Sequence, residues 1–321
     1  FSKNRIRFSE KMDNNSIAVF NSNDLMPKNA DQEMVFKQNS DLFHLSGVDQ
    51  EETILLLIKQ NDVVTEHLFI RETNEHIKVW EGEKLSKKGA SEISGITLVD
   101  WHTCFKDLLY GYMKNTTIVY LNSNEHPRAN IVVESRDARF KTWFQNKFPN
   151  KIIKKAAHIL YPIRAVKQDQ EIALIEKACN ITQLGVQRVL KFLKPGVFEY
   201  ELEGEILHEF IKNRASGFAY EPIIASGKNA CVLHYNSNNK MCKKGDVVLM
   251  DFGAEYANYS SDLTRSFPVG GRFTTRQRNI YNSVLSVFKG AKKILKPGVL
   301  LKDYEKAVGK LMEKELVDLK L

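Results

Sequence analysis

The chain has no apolar run approaching the roughly 18 residues that a membrane span needs, so no membrane association is expected. Cysteine is scarce. The four present, Cys104, Cys179, Cys231 and Cys242, show no Cys-x-x-Cys spacing, which argues against a disulfide framework and for a reducing compartment, the cytoplasm. The start, Phe1-Ser-Lys-Asn-Arg5, lacks a methionine and the charged-then-apolar order of a secretory signal, and reads as a trimmed or partly ordered terminus. Blocks of basic charge are also missing. The net charge is +8, yet the lysines come in short groups such as those at residues 151–155 and Lys243-Lys244, which read as solvated faces rather than a nucleic-acid footprint. No nucleic-acid partner is expected.

What is present is globular: 43% hydrophobic and 27% charged residues over 321 positions, enough for two domains with separate cores. In the first half, Ser16-Ile-Ala-Val-Phe20, Thr53-Ile-Leu-Leu-Leu-Ile58, His67-Leu-Phe-Ile70 and Thr117-Ile-Val-Tyr-Leu121 read as strands. Helical stretches such as residues 139–148 lie between some of them, so an α/β layer domain is expected over residues 1–160. The segment Arg71-Glu-Thr-Asn-Glu75 reads as a polar loop after a strand more readily than as a ligand contact.

From Tyr161-Pro162 the pattern changes. Asp169 suits a helix cap and Glu171 its positive end; apolar residues recur at Ile172, Ile175, Cys179, Val186, Val189 and Leu193 until Pro195-Gly196. A second domain, α+β, is expected over residues 161–321. Another helix is expected over residues 273–295, opening on the capping box Thr274-Thr-Arg-Gln277. Both helices end in Lys-Pro-Gly and each precedes another amphipathic stretch, residues 200–211 and 304–316. This repetition reads as an internal duplication, or as chance similarity of two helix ends. Between the helical units, Pro222-Ile-Ile-Ala225, Val232-Leu-His-Tyr235, residues 246–251 and residues 259–268 read as strands.

The chemistry concentrates there. Val247-Val-Leu-Met250 is apolar at successive positions, as in a strand covered on both faces, and Asp251 follows it. A carboxylate so placed is costly unless paired, hydrogen-bonded or on a metal. If residues 255–258 form a four-residue loop, Asp251 and Asp262 stand directly opposite in a hairpin, with Cβ atoms roughly 4.5–5.5 Å apart. Such carboxylates repel unless a proton or cation lies between them, and a metal pair roughly 3.5–4 Å apart fits. The alternative makes Asp251 a turn residue and Asp262 a cap. His234 reads either as structural or as a ligand, proton carrier or oxyanion donor.

With these residues in view, the chain resembles the aminopeptidase P branch of the pita-bread metallopeptidases. The likeness rests on Val197-Phe-Glu-Tyr-Glu-Leu-Glu-Gly-Glu-Ile206, Ser226-Gly-Lys-Asn-Ala-Cys-Val-Leu-His-Tyr235 and residues 251–268. Weaker support comes from Phe36-Lys-Gln-Asn-Ser-Asp-Leu-Phe-His-Leu-Ser-Gly47, similar to a creatinase-type amino-terminal domain, and from Arg164-Ala-Val-Lys167 through Glu171. The resemblance implies that Asp251 binds one metal, Asp262 bridges two Mn²⁺ ions, and His234 faces the substrate. It further implies attack by a metal-bridging hydroxide on a peptide with proline in second position, and a homodimer or larger homo-oligomer. Prolidase, with dipeptide substrates, and a non-catalytic binding member are the alternatives. The family's further histidine and two glutamates would follow Leu321, so the chain by itself is expected to be an inactive fragment that binds metal poorly.

Overall fold

The computed structural model describes residues 1–123 and 132–321. The chain divides into two compact units, Phe1–Lys167 and Gln168–Leu321.

In the first unit the elements run α1 (Ser2–Lys11), β1 (Ser16–Asn21), β2 (Pro27–Asn29), β3 (Gln32–Glu33), α2 (Ser40–Ser46), β4 (Ile54–Gln60) and β5 (Val63–Ile70). They continue as α3 (Glu75–Glu81), α4 (Lys87–Ser94), β6 (Leu98–Trp101), α5 (Phe105–Met113), β7 (Ile118–Leu121), α6 (Arg136–Lys147), β8 (Ile152–Lys155) and α7 (Ala157–Ala165). Among the described residues six strands form one mixed sheet in the order β6-β5-β4-β1-β7-β8. The β-strand period of two divides the side chains between two cores. Ala18, Phe20, Leu55, Leu57, Leu68 and Ile70 pack with Phe8 of α1, Leu42 of α2 and Leu160 of α7. Ile17, Val19, Leu56, Phe69 and Val119 pack with Leu109 of α5 and Phe144 of α6. Covering both faces explains why these strands are continuously apolar rather than alternating. Arg71 lies 2.7 Å from both Glu51 and Glu81, so this loop charge is spent within the unit. The helix spanning residue 160, α7, packs on α1, and the break between units follows it.

The second unit contains α8 (Asp169–Phe192), α9 (Glu199–Lys212), β9 (Gly217–Phe218), β10 (Ile223–Ser226), β11 (Val247–Phe252), β12 (Ala254–Tyr256), β13 (Tyr259–Ser260), β14 (Leu263–Pro268), α10 (Thr275–Ile294) and α11 (Leu301–Asp318). Helix α8 starts at the expected place with Gln168 as its cap, and Asp169 is already helical. The Gln168 amide donates to Glu171 at 2.9 Å. Both Lys-Pro-Gly endings are the turns of helical hairpins, α8 to α9 and α10 to α11, whose helices pack on each other. The core lies where Ile181, Val189, Leu202, Ile206 and Phe210 meet Ile224, Val248, Met250 and Phe252.

Two strand expectations change. Val232-Leu-His-Tyr235 is not a strand; it follows a 3-10 turn, Gly227–Cys231, with Leu233 91% exposed. Strand β11 alternates instead of being covered on both faces. Val248, Met250 and Phe252 are buried, whereas Val247, Leu249 and Asp251 are half-buried.

Candidate active site

Asp251 occupies β11 between β10 and β14, paired with Ile223 on one side and Thr264 on the other. The expected opposition of Asp251 and Asp262 is therefore displaced. The cause is the turn, which is shorter than the expected four residues. Ala257 and Asn258 both have positive φ, 48° and 65°, and Tyr256 pairs directly with Tyr259, as in a two-residue hairpin turn. Continuing that register places Asp262 across from Gly253. A shift of two residues leaves side chains on the same face, so Asp262 becomes the diagonal neighbour of Asp251 rather than its opposite.

The hairpin is pinched at this point. A Cβ on Gly253 would lie 1.8 Å from the Ser261 carbonyl oxygen, which excludes any other residue without backbone movement. A buried polar cluster holds the pinch against α8. The Ala254 amide donates to Thr182 Oγ1 at 2.9 Å and to Ser261 Oγ at 3.0 Å, and the two hydroxyls lie 2.7 Å apart.

A third side chain joins the carboxylates. The Ala219 amide donates to the Gly253 carbonyl at 2.8 Å, which delivers the next residue, Tyr220. Its hydroxyl lies 2.6 Å from Asp251 Oδ1 and 3.0 Å from Asp262 Oδ1. One proton serves one carboxylate at a time. Burial pushes the Tyr220 phenol well above its ordinary value, and the bonds and charges of the two aspartates push it further, so it remains a donor. Nothing in the local sequence marks Tyr220, because its partners lie 31 and 42 residues away.

His234 is exposed, and among the described residues no hydrogen bond or ion pair joins it to either aspartate. The structure thus joins Asp251 and Asp262 through the Tyr220 hydroxyl, and carries His234 on an exposed loop with no direct bond to either.

Two carboxylates that reach the same Tyr220 hydroxyl form an all-oxygen donor set, the kind that suits hard divalent cations. They fit a metal as part of its ligand shell. Among the described residues no group of three His, Cys, Asp or Glu side chains has metal-holding geometry.

Residues 173–320 match the model of metallopeptidase family M24, and residues 1–143 match the aminopeptidase P amino-terminal domain. A curated Xaa-Pro aminopeptidase of Escherichia coli is 32% identical over 99% of this chain and 73% of the relative. That decides the family. The chain belongs to metallopeptidase family M24.

The Haemophilus influenzae Xaa-Pro aminopeptidase is also 32% identical, over 99% of this chain and 72% of its own length. Among solved structures, zinc-substituted E. coli aminopeptidase P in complex with product superposes with a TM-score of 0.87 at 31% identity, covering 99% of this chain and 72% of that one. Pseudomonas aeruginosa aminopeptidase PepP gives 0.89 at 29%, with coverage of 99% and 72%. The M24 protein is thus a hydrolase of the metallopeptidase class, with a creatinase-like α/β amino-terminal domain and an α+β pita-bread domain. Divalent metal is implied by that class. Among the described residues no helix is long and apolar enough to cross a membrane.

Proposed function

We propose that the protein is an Xaa-Pro aminopeptidase, releasing an amino-terminal residue that precedes proline, and that Asp251 and Asp262 belong to its metal site. The observation that carries this reading is the convergence of both aspartates on one hydroxyl at 2.6 and 3.0 Å. The single Tyr220 proton serves one carboxylate at a time, and a cation would offset the charge of both. In this reading the metal would be Mn²⁺, and Asp251 and Asp262 would be among the residues that hold it. When bound, the ions would polarise the scissile carbonyl and acidify water.

The protein's own side chains do the rest. Tyr220, whose hydroxyl reaches Oδ1 of both aspartates and donates to one at a time, orients them, as groups behind metal ligands commonly do. His234, whose ring makes no bond to either aspartate, is left to face substrate and to donate to a developing oxyanion. A cytoplasmic location and a homodimer or larger homo-oligomer belong to the same reading, supported by the unpaired cysteines and the family.

The test is turnover by the full-length protein with Mn²⁺, on a tripeptide with proline second and on an Xaa-Pro dipeptide. Cleavage of the tripeptide is expected; cleavage of the dipeptide alone would make the protein a prolidase. Asp262→Ala should abolish turnover, and full activity of that variant would remove Asp262 from the site.

A further inference from the structure

The stretch Val197-Phe-Glu-Tyr-Glu-Leu-Glu-Gly-Glu-Ile206 contains a carboxylate that the proposed metal chemistry does not use. Glu199 opens α9 and is fully buried. A buried carboxylate is tolerated only when its lone pairs are satisfied, and here both oxygens are. Oε1 accepts from the Ser226 amide at 2.7 Å, from Ser226 Oγ at 2.8 Å and from Asn229 Nδ2 at 3.1 Å. Oε2 accepts from the Tyr235 hydroxyl at 2.7 Å and from the Lys240 amide at 3.0 Å. Burial acts to raise its pKa, but the Lys240 and Ser226 amides and the two hydroxyls outweigh it, leaving the group below the usual glutamate range and ionised.

These donors share one property: all belong to residues 226–240, the segment that carries His234. Beyond Ser226, the last residue of β10, that segment has no strand to hold it. Val232, Leu233 and His234 are exposed, so their position depends on what the flanking residues grip. Tyr235, adjacent to His234, is gripped by Glu199 Oε2. The Glu199 amide also donates to the Lys240 carbonyl at 2.9 Å, closing the loop at its far end.

We propose that Glu199 is the positioning residue for His234: one buried carboxylate that fixes both ends and the middle of the histidine loop. This rests on the reading of His234 as a substrate-facing group. Glu199 does not touch substrate or metal, and it acts through the loop. Asn238 provides a separate anchor, donating to Glu203 at 2.8 Å and to the Pro222 carbonyl at 3.0 Å, so the loop has other support when Glu199 is altered.

The experiment uses the full-length protein with Mn²⁺ and a tripeptide with proline second. Glu199→Gln keeps an acceptor for Ser226 and Asn229 but turns an NH₂ group toward the Lys240 amide. A misplacement of about 1 Å costs roughly 100-fold in rate, so kcat should fall by about that factor, with little change in KM and with Mn²⁺ affinity by calorimetry unchanged. A merely structural role would add to the loss caused by His234→Ala. A role exercised through His234 makes the double variant no slower than His234→Ala alone.

Wild-type kcat in Glu199→Gln, or fully additive losses in the double variant, would overturn the proposal. If Glu199→Gln fails to fold, Tyr235→Phe takes its place in the same cycle, with a smaller loss and the same expected non-additivity. Should His234→Ala keep full activity, the role of His234 itself fails. Amide exchange then decides on Glu199 alone: faster exchange confined to residues 227–240 in Glu199→Gln supports its hold on the loop, and unchanged exchange refutes it.

Discussion

The α-carbon of Gly253 lies so close to Ser261 that a single added methyl group would stand 1.8 Å from the Ser261 carbonyl oxygen. The contact is backbone against side chain, so no rotamer change relieves it. Gly253→Ala should destabilise the protein by about 3 kcal/mol, at the upper end for an overpacked site, and should separate Asp251 from Asp262. Denaturant midpoints measure the first effect and Mn²⁺ calorimetry the second.

Thr182 reaches the same pinch from α8. Its Oγ1 accepts the Ala254 amide at 2.9 Å and contacts Ser261 Oγ at 2.7 Å, all of it buried. Thr182→Val keeps the shape and removes the hydroxyl. A buried group losing its partner costs about 1–3 kcal/mol; because Ser261 Oγ still accepts the Ala254 amide at 3.0 Å, about 1 kcal/mol is expected, read from urea unfolding.

Tyr220→Phe removes the hydroxyl that both carboxylates share. Loss of a group that orients metal ligands lowers metal affinity by about 10–100-fold. The variant should therefore bind Mn²⁺ at least about tenfold more weakly by calorimetry, with thermal stability nearly unchanged, since the ring stays in place. Unaltered affinity would remove Tyr220 from the site.

In the amino-terminal unit, burial pushes Asp137 up to about 6 from an ordinary value near 3.8, although its bond from Asn21 Nδ2 at 2.8 Å pulls the other way. A folded-state pKa above the unfolded one contributes stability below the unfolded value. That contribution is lost as pH rises through the folded value. The loss amounts to at most about 3 kcal/mol. Asp137→Asn lacks this titration, so its stability relative to wild type should improve as pH rises from about 4 to 7. Parallel thermal midpoints across that range would contradict the expectation.

How legible these features were depended on the range of the interaction behind each. The opening of α10 could be read because its cap is local: the Gln277 amide donates to Thr274 Oγ1, and the Thr274 amide donates to Gln277 Oε1. The shared face of Asp251 and Asp262 was legible because it depends only on strand parity. Their register was not, since it turned on Ala257 accepting a positive φ that alanine rarely adopts. Val232-Leu-His-Tyr235 has strand-like composition, yet distant Glu199, which accepts from Tyr235, and Glu203, which accepts from Asn238, hold its segment as a loop. Tyr220 gave no sign at all, because its partners Asp251 and Asp262 lie 31 and 42 residues away in the sequence.

The carboxylate pair and its pinch are encoded almost entirely by one hairpin. Short loops cost the least closure entropy, and local contacts form first in folding. The acidic pair should thus be drawn together early, as the hairpin zips from its Ala257-Asn258 turn, while Tyr220 arrives later, from 31 residues before Asp251. Pulsed hydrogen exchange during refolding tests that order: amides of residues 251–262 should gain protection before the Ala219 amide that sets Tyr220 in place.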